Sequence, residues 1–116
     1  MIDSKPRFLQ GVFAFHGAGY DKPGPLDPSL LYVVPADKRA QLVYLRAGNS
    51  AADMIYIALM QGEQTMRLFP VAGTGATHVP LAVVEDLEPD TRIELFIGAP
   101  AGAVGTVVID LGLVEI

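Results

Sequence analysis

Apolar runs of five to nine residues recur along the chain, each closed by glycine, proline, aspartate or asparagine. No segment of twelve or more residues shows a helical stripe with caps at both ends. This punctuation restricts the chain to an all-β architecture of short antiparallel strands, a sandwich or a barrel. The expected strands are Phe8 to His16, Leu30 to Val34, Arg39 to Ala47, Met54 to Gln61, Thr65 to Phe69, Val79 to Val84, Thr91 to Ile97 and Val104 to Leu111, the last with a possible extension to Ile116. β-Branched and aromatic residues fill these runs, as half-buried pleated strands prefer. Ala51 to Met60 has helical propensity, and Leu81 to Leu87 could form a helical turn. The Tyr56-Ile57 pair and the flanking turns favour a strand in the first case.

Residues 1–29 differ in character. Gly17 to Pro28 holds three glycines and three prolines and reads as an irregular loop with φ fixed at each proline. The predicted organisation is an extended N-terminal arm over residues 1–29, followed by an antiparallel, jelly-roll-like β-sandwich over residues 30–116. Phe8, Phe13, Phe15 and Tyr20 are the arm's candidate docking residues. The alternative makes Phe8 to His16 the first strand of the sandwich.

Leu42 to Leu45 and Met54 to Leu59 are apolar on both faces, where a strand with one wet face alternates. Joined through Gly48-Asn49-Ser50, they read as a hairpin with one face in the core and the other in need of cover. Apolar residues make up 51% of the 116-residue chain and charged residues only 18%, against roughly a quarter in typical domains. Little else is left to supply that cover. Burial against a second copy is therefore expected, with Val43, Leu45, Ile55, Ile57 and Leu59 as interface residues. Each contributes roughly 1.5–3 kcal/mol when buried. The competing possibility is a central strand covered within the monomer.

Chemistry is sparse. The net charge is −5, with no run of Lys or Arg, which argues against a nucleic-acid partner. Cysteine is absent, removing disulfides, thiolate metal sites and thiol nucleophiles. The first ten residues carry Asp3, Lys5, Pro6 and Arg7 and no secretory h-region. Met54 to Met60, the strongest uncharged stretch, is too short for a membrane span. His16 and His78 lack metal-ligand spacing. His16-Gly17-Ala18-Gly19 lacks the Gly-x-Ser-x-Gly partner of a hydrolase, so Gly17 and Gly19 are assigned to a tight, positive-φ path. Gly73 to Thr77 lacks the lysine of a phosphate loop. Glu85, Asp86, Glu88 and Asp90 fit turn chemistry better than calcium. No catalytic, cofactor or metal site is predicted. Thr74, Thr77 and His78, with Tyr20, are the candidate loop for a glycan or receptor.

The stretch Leu31-Tyr32-Val33-Val34-Pro35-Ala36-Asp37-Lys38-Arg39-Ala40, then Leu42 to Asn49, resembles small β-sandwich structural proteins of tailed bacteriophages and prophages. In these, Tyr-x-Val-Pro-Ala-Gly-Lys precedes a strand, Asn-x-Ser and a further strand. Leu87 to Leu95 resembles the matching half, so the similarity covers roughly residues 30 to 114. Asp37 stands where glycine is usual. The resemblance implies a virion protein, either a capsid decoration (cementing) protein or a tail appendage. It would form a homo-oligomer, typically a trimer, and bind other virion proteins such as the major capsid protein. Cytoplasmic and cell-surface locations are the alternatives.

Overall fold

The computed structural model describes residues 4–81 and 86–116. Among the described residues, ten strands form two five-stranded antiparallel sheets. The first sheet runs β1 (Lys5–His16), β10 (Val104–Glu115), β4 (Ala40–Asn49), β7 (Ala76–Pro80), with β8 (Asp86–Leu87) also on β4. The second runs β2 (Gly19–Pro25), β9 (Arg92–Ala99), β5 (Ile55–Gln61), β6 (Gln64–Val71), with β3 (Leu31–Val33) also on β9. The chain passes repeatedly from one sheet to the other, and its first strand pairs with its last. This is the double-sheet jelly roll, as the strand spacing predicts. The expected strand Val79 to Val84 and the turn around Glu85 lie partly outside the described residues.

Of the residues read as an arm, Lys5–His16 and Gly19–Pro25 are strands of the sandwich. β1 pairs with β10 over its full length without a register shift. β2 pairs with β9 at Gly19, Gly24 and Pro25, its register broken between the two glycines. Prolines that suggested an irregular loop are tolerated because β2 is an edge strand, where a missing N–H costs no ladder bond. Gly19 takes φ +122°, as expected. Gly17 serves a close approach instead: a Cβ there would lie 2.1 Å from the Pro100 carbonyl oxygen.

The expected hairpin does not form, because β4 and β5 lie in opposite sheets. Asn49 turns the corner between them. Its buried amide donates to the carbonyls of Asp53 (2.9 Å) and Ala72 (3.2 Å), and its side-chain oxygen accepts from the Ala51 N–H (2.9 Å). Ser50 donates its N–H to Thr106 O and accepts the Thr106 N–H on its hydroxyl, which ties the corner to β10. Leu42 and Leu45 therefore face Ile55, Ile57 and Leu59 across one core, with none of the five exposed. A β-bulge makes this possible. Tyr44 pairs with Gly112 and Leu42 with Leu113, so Val43 is an extra residue that resets the alternation. Without it, Leu42 and Leu45 would point to opposite faces.

The sandwich is also closed by an ionic contact. Glu115 ends β10 with its side chain buried; Tyr32, from the other sheet, donates its hydroxyl to Glu115 Oε2, and Arg7 Nε lies 3.2 Å from the same oxygen. Arg39 pairs with Asp86 at 2.8 Å, and Asp90 takes φ +66° in the turn before β9. The acidic residues described here thus serve pairing and turn geometry.

Candidate functional site

With the inner faces consumed by the core, the two outer faces and the edges remain to act. On the first sheet the register aligns rows of side chains across strands. One row is Gln10, Asp110, Arg46 and His78, from β1, β10, β4 and β7. Asp110 gathers it: Gln10 Nε2 donates to Oδ1 at 2.9 Å, the Tyr44 hydroxyl donates to the same oxygen at 2.8 Å, and Arg46 lies 3.3 Å from Oδ2. The Arg46 guanidinium sits 5.1 Å from the Tyr44 ring centroid, and His78 meets that ring edge-on at 6.2 Å. Partial burial pushes the Asp110 carboxyl up. The hydrogen bonds from Gln10 and Tyr44 and the Arg46 charge outweigh this, and hold it below the usual carboxylate range. The Tyr44 phenol is raised by burial and by its bond to Asp110. Beside the row lies an open depression of about 530 Å³, lined among others by Arg46, Gly48, Ala76, His78, Val108 and Asp110.

Apolar residues flank the polar row. Phe8 (54% exposed) and Val12 (66%) project from β1, and Val104 (62%) and Val108 (49%) from the neighbouring β10. Val12 and Val108 stand directly opposite each other. These four side chains, with Val43 on β4, are large exposed apolar residues of the first sheet, and sequence reasoning assigned only Phe8 among the four to docking. The alternation in β1 was available as a signal, since Leu9, Phe13 and Phe15 occupy the opposite parity.

Of the expected interface residues, Leu45, Ile55, Ile57 and Leu59 are core and have no surface to offer a partner. Val43, at the bulge, is exposed. Of the expected docking residues, Phe15 is buried and Phe13 packs against the core, because both point inward from β1. Phe8 and Tyr20 are exposed on different sheets. The candidate ligand loop is also divided. Thr77 and His78 border the depression on the first sheet, and Thr74 occupies the β6–β7 turn at φ +44°, its N–H donated to Ala51 O. Tyr20 lies with the second sheet. There its hydroxyl donates to Met54 O (2.7 Å), its carbonyl accepts from the Tyr56 hydroxyl (2.6 Å), and the two rings stack at 6.4 Å. His16 and His78 stand on opposite edge strands, and no group of three or more metal-ligating side chains occurs among the described residues.

Two tyrosines cover glycines on the outer faces. The Tyr44 ring lies over Gly112, and the Tyr56 ring over Gly98. A methyl group at Gly98 would fall 2.1 Å from the Tyr56 ring. Gly98→Ala is expected to displace Tyr56, break its bond to Tyr20 and cost about 1–3 kcal/mol. Urea unfolding should show this as a lower midpoint at unchanged slope.

No protein-family model matches the chain, and no curated protein matches it. Among solved structures, the chain is similar to the following three. A chain from the disulfide-linked pili of Bacillus endospore appendages is 13% identical with a TM-score of 0.49, covering 97% of this chain and 88% of that one. Chains from the structures of infectious bursal disease virus, Gt and Gx strains, are each 15% identical with a TM-score of 0.47, covering 97% of this chain. This chain spans about a third of the length of the viral chains, 32%. At these identities and scores the likenesses carry no function across.

Proposed function

We propose that this chain is a non-enzymatic virion structural protein. It is a homo-oligomeric jelly-roll subunit that decorates or cements a phage capsid or forms part of a tail, and that binds the major capsid protein or another particle protein. The observation that carries the reading is the quartet Phe8, Val12, Val104 and Val108. These are large apolar side chains spread along the outer side of the β1–β10 ladder, with Val12 and Val108 directly paired at its middle. Exposed apolar surface of this kind is what a protein–protein contact buries. The likeness of residues 30 to 49 to small phage sandwich proteins supports the virion setting. The absence of charge runs and of a metal-ligating group among the described residues leaves packing as the resource at hand.

Light scattering on the purified protein tests self-association directly. A multiple of the monomer mass at micromolar concentration is expected, and its value distinguishes the trimer implied by the resemblance from a two-fold pair. A clean monomer across that range would remove the reading.

A second function, a glycan- or receptor-binding module, is favoured by the depression lined by Arg46, Thr77, His78 and Asp110. It gathers a few polar groups in a concave, otherwise apolar site, as ligand sites do. A glycan array without hits would dispose of it.

A further inference from the structure

We infer that the free edge of β1, over Phe8 to Phe15, pairs antiparallel with the same edge of a second copy. This rests on the self-association reading and assigns it a place and a symmetry. An edge strand presents unpaired N–H and C=O groups, and proteins blunt such edges with prolines, charges, bulges or brevity. The other edges of this sandwich are blunted. β2 carries Asp21, Lys22, Pro23 and Pro25 and a broken register. β6 carries Arg67 and Pro70, and its pairing shifts register. β7 has five residues and ends at Pro80, and β3 and β8 have three and two.

β1 is the exception. Lys5, Pro6 and Arg7 guard its start, but the eight residues from Phe8 to Phe15 hold no charge and no proline, and their ladder with β10 is unbroken. Among the described residues nothing pairs with the other side of β1. The outward side chains there include Phe8 and Val12, so pairing also buries part of the apolar surface described above.

Charge restricts where two copies can meet and in which direction. Each copy carries −5 overall, so two copies approach with least repulsion where the surface is uncharged. Parallel pairing would set Lys5 and Arg7 beside their counterparts. Antiparallel pairing sends them to opposite ends and lets each uncharged window face the other about a two-fold axis, the self-complementary geometry of closed dimers.

The test combines sedimentation velocity with hydrogen exchange on the full chain. The wild type should reach a dimer mass, and the amides of residues 8–15 should gain protection as concentration rises. Val12→Lys and Ala14→Lys place charge at exposed positions of the edge. Each should weaken association by at least about ten-fold while the melting temperature is kept. Protection of residues 8–15 in the wild type is read without any substitution, so a variant that misfolds does not obscure the result. Assembly without protection of this segment, or a trimer, would overturn the edge pairing and leave self-association standing. A wild-type monomer up to about 100 µM would overturn both.

Discussion

Leu45→Asp and Ile57→Asp are each expected to unfold the protein rather than merely dissociate it. Both side chains have no exposed surface and face each other's sheet across a single apolar core. An aspartate there has no cationic partner, and an isolated buried carboxylate must either remain desolvated or take up a proton. Adding the lost packing, the cost is about 5 kcal/mol or more, comparable to the whole stability of many domains of this size. Circular dichroism should show loss of the β signal and light scattering should show aggregate, not folded monomer. Val43→Asp is the control. Val43 is the bulged, exposed residue of the same strand, so the variant should keep the fold within about 0.5 kcal/mol. If Leu45→Asp yielded a folded monomer, the placement of Leu45 in the core would be wrong.

The second large effect concerns the contact of Tyr32, Glu115 and Arg7. Glu115→Ala strands the Tyr32 hydroxyl and the Arg7 guanidinium, and should cost about 2–3 kcal/mol, discounted because Arg7 is partly exposed. The same contact predicts how stability depends on pH. The Tyr32 hydroxyl and the nearby Arg7 and Lys5 charges hold the Glu115 carboxyl below its ordinary value against the opposing effect of burial. Its contribution is therefore present above the unfolded carboxyl pKa of about 4.3 and is lost as pH falls through the lower folded value. Burial, and then the bond and charge of Glu115, raise the Tyr32 phenol strongly. Below the unfolded phenol pKa of about 10 that contribution is complete, and it is lost as pH rises further, because the unfolded chain ionises first. Denaturation across pH should show a plateau with an acid and an alkaline fall. Glu115→Gln should flatten the acid limb in part, since Asp110 and Asp27 are lowered as well. Tyr32→Phe should flatten the alkaline limb in part, since Tyr44 is raised as well. An unchanged profile in both variants would show that the contact does not form in solution.

Self-association now rests on different residues from those that first suggested it. Leu42 to Leu59 read as a two-faced ribbon because strands were assigned to one sheet on sequence adjacency. In the fold they are opposite walls of the core. On the outer face of β5, Ala58 sits between Phe96 and Leu68, and Met60 between Glu94 and Thr65, so same-sheet neighbours provide the cover that a second copy was invoked to supply. Exposed large apolar side chains remain on β1 and β10, in the stretch taken for an arm and in the terminal strand, and singly elsewhere, as at Leu68 on β6.

Sequence periodicity and punctuation by themselves determined the all-β class and most strand positions, because alternation and turn chemistry are local. The Gly62-Glu63 turn illustrates this, with Gly62 at φ +61° between β5 and β6. They did not separate core from interface: Leu45, Ile55, Ile57, Leu59 and Phe15 were read as contact residues and are buried. Only the tertiary structure decided which strands are neighbours, that Val43 is bulged, that proline-rich residues 19–25 form an edge strand, and which apolar faces remain open. These depend on pairing between residues as distant as Lys5 and Glu115. One bulged residue reverses the facing of every residue beyond it, and no local pattern in the chain records where that reversal occurs.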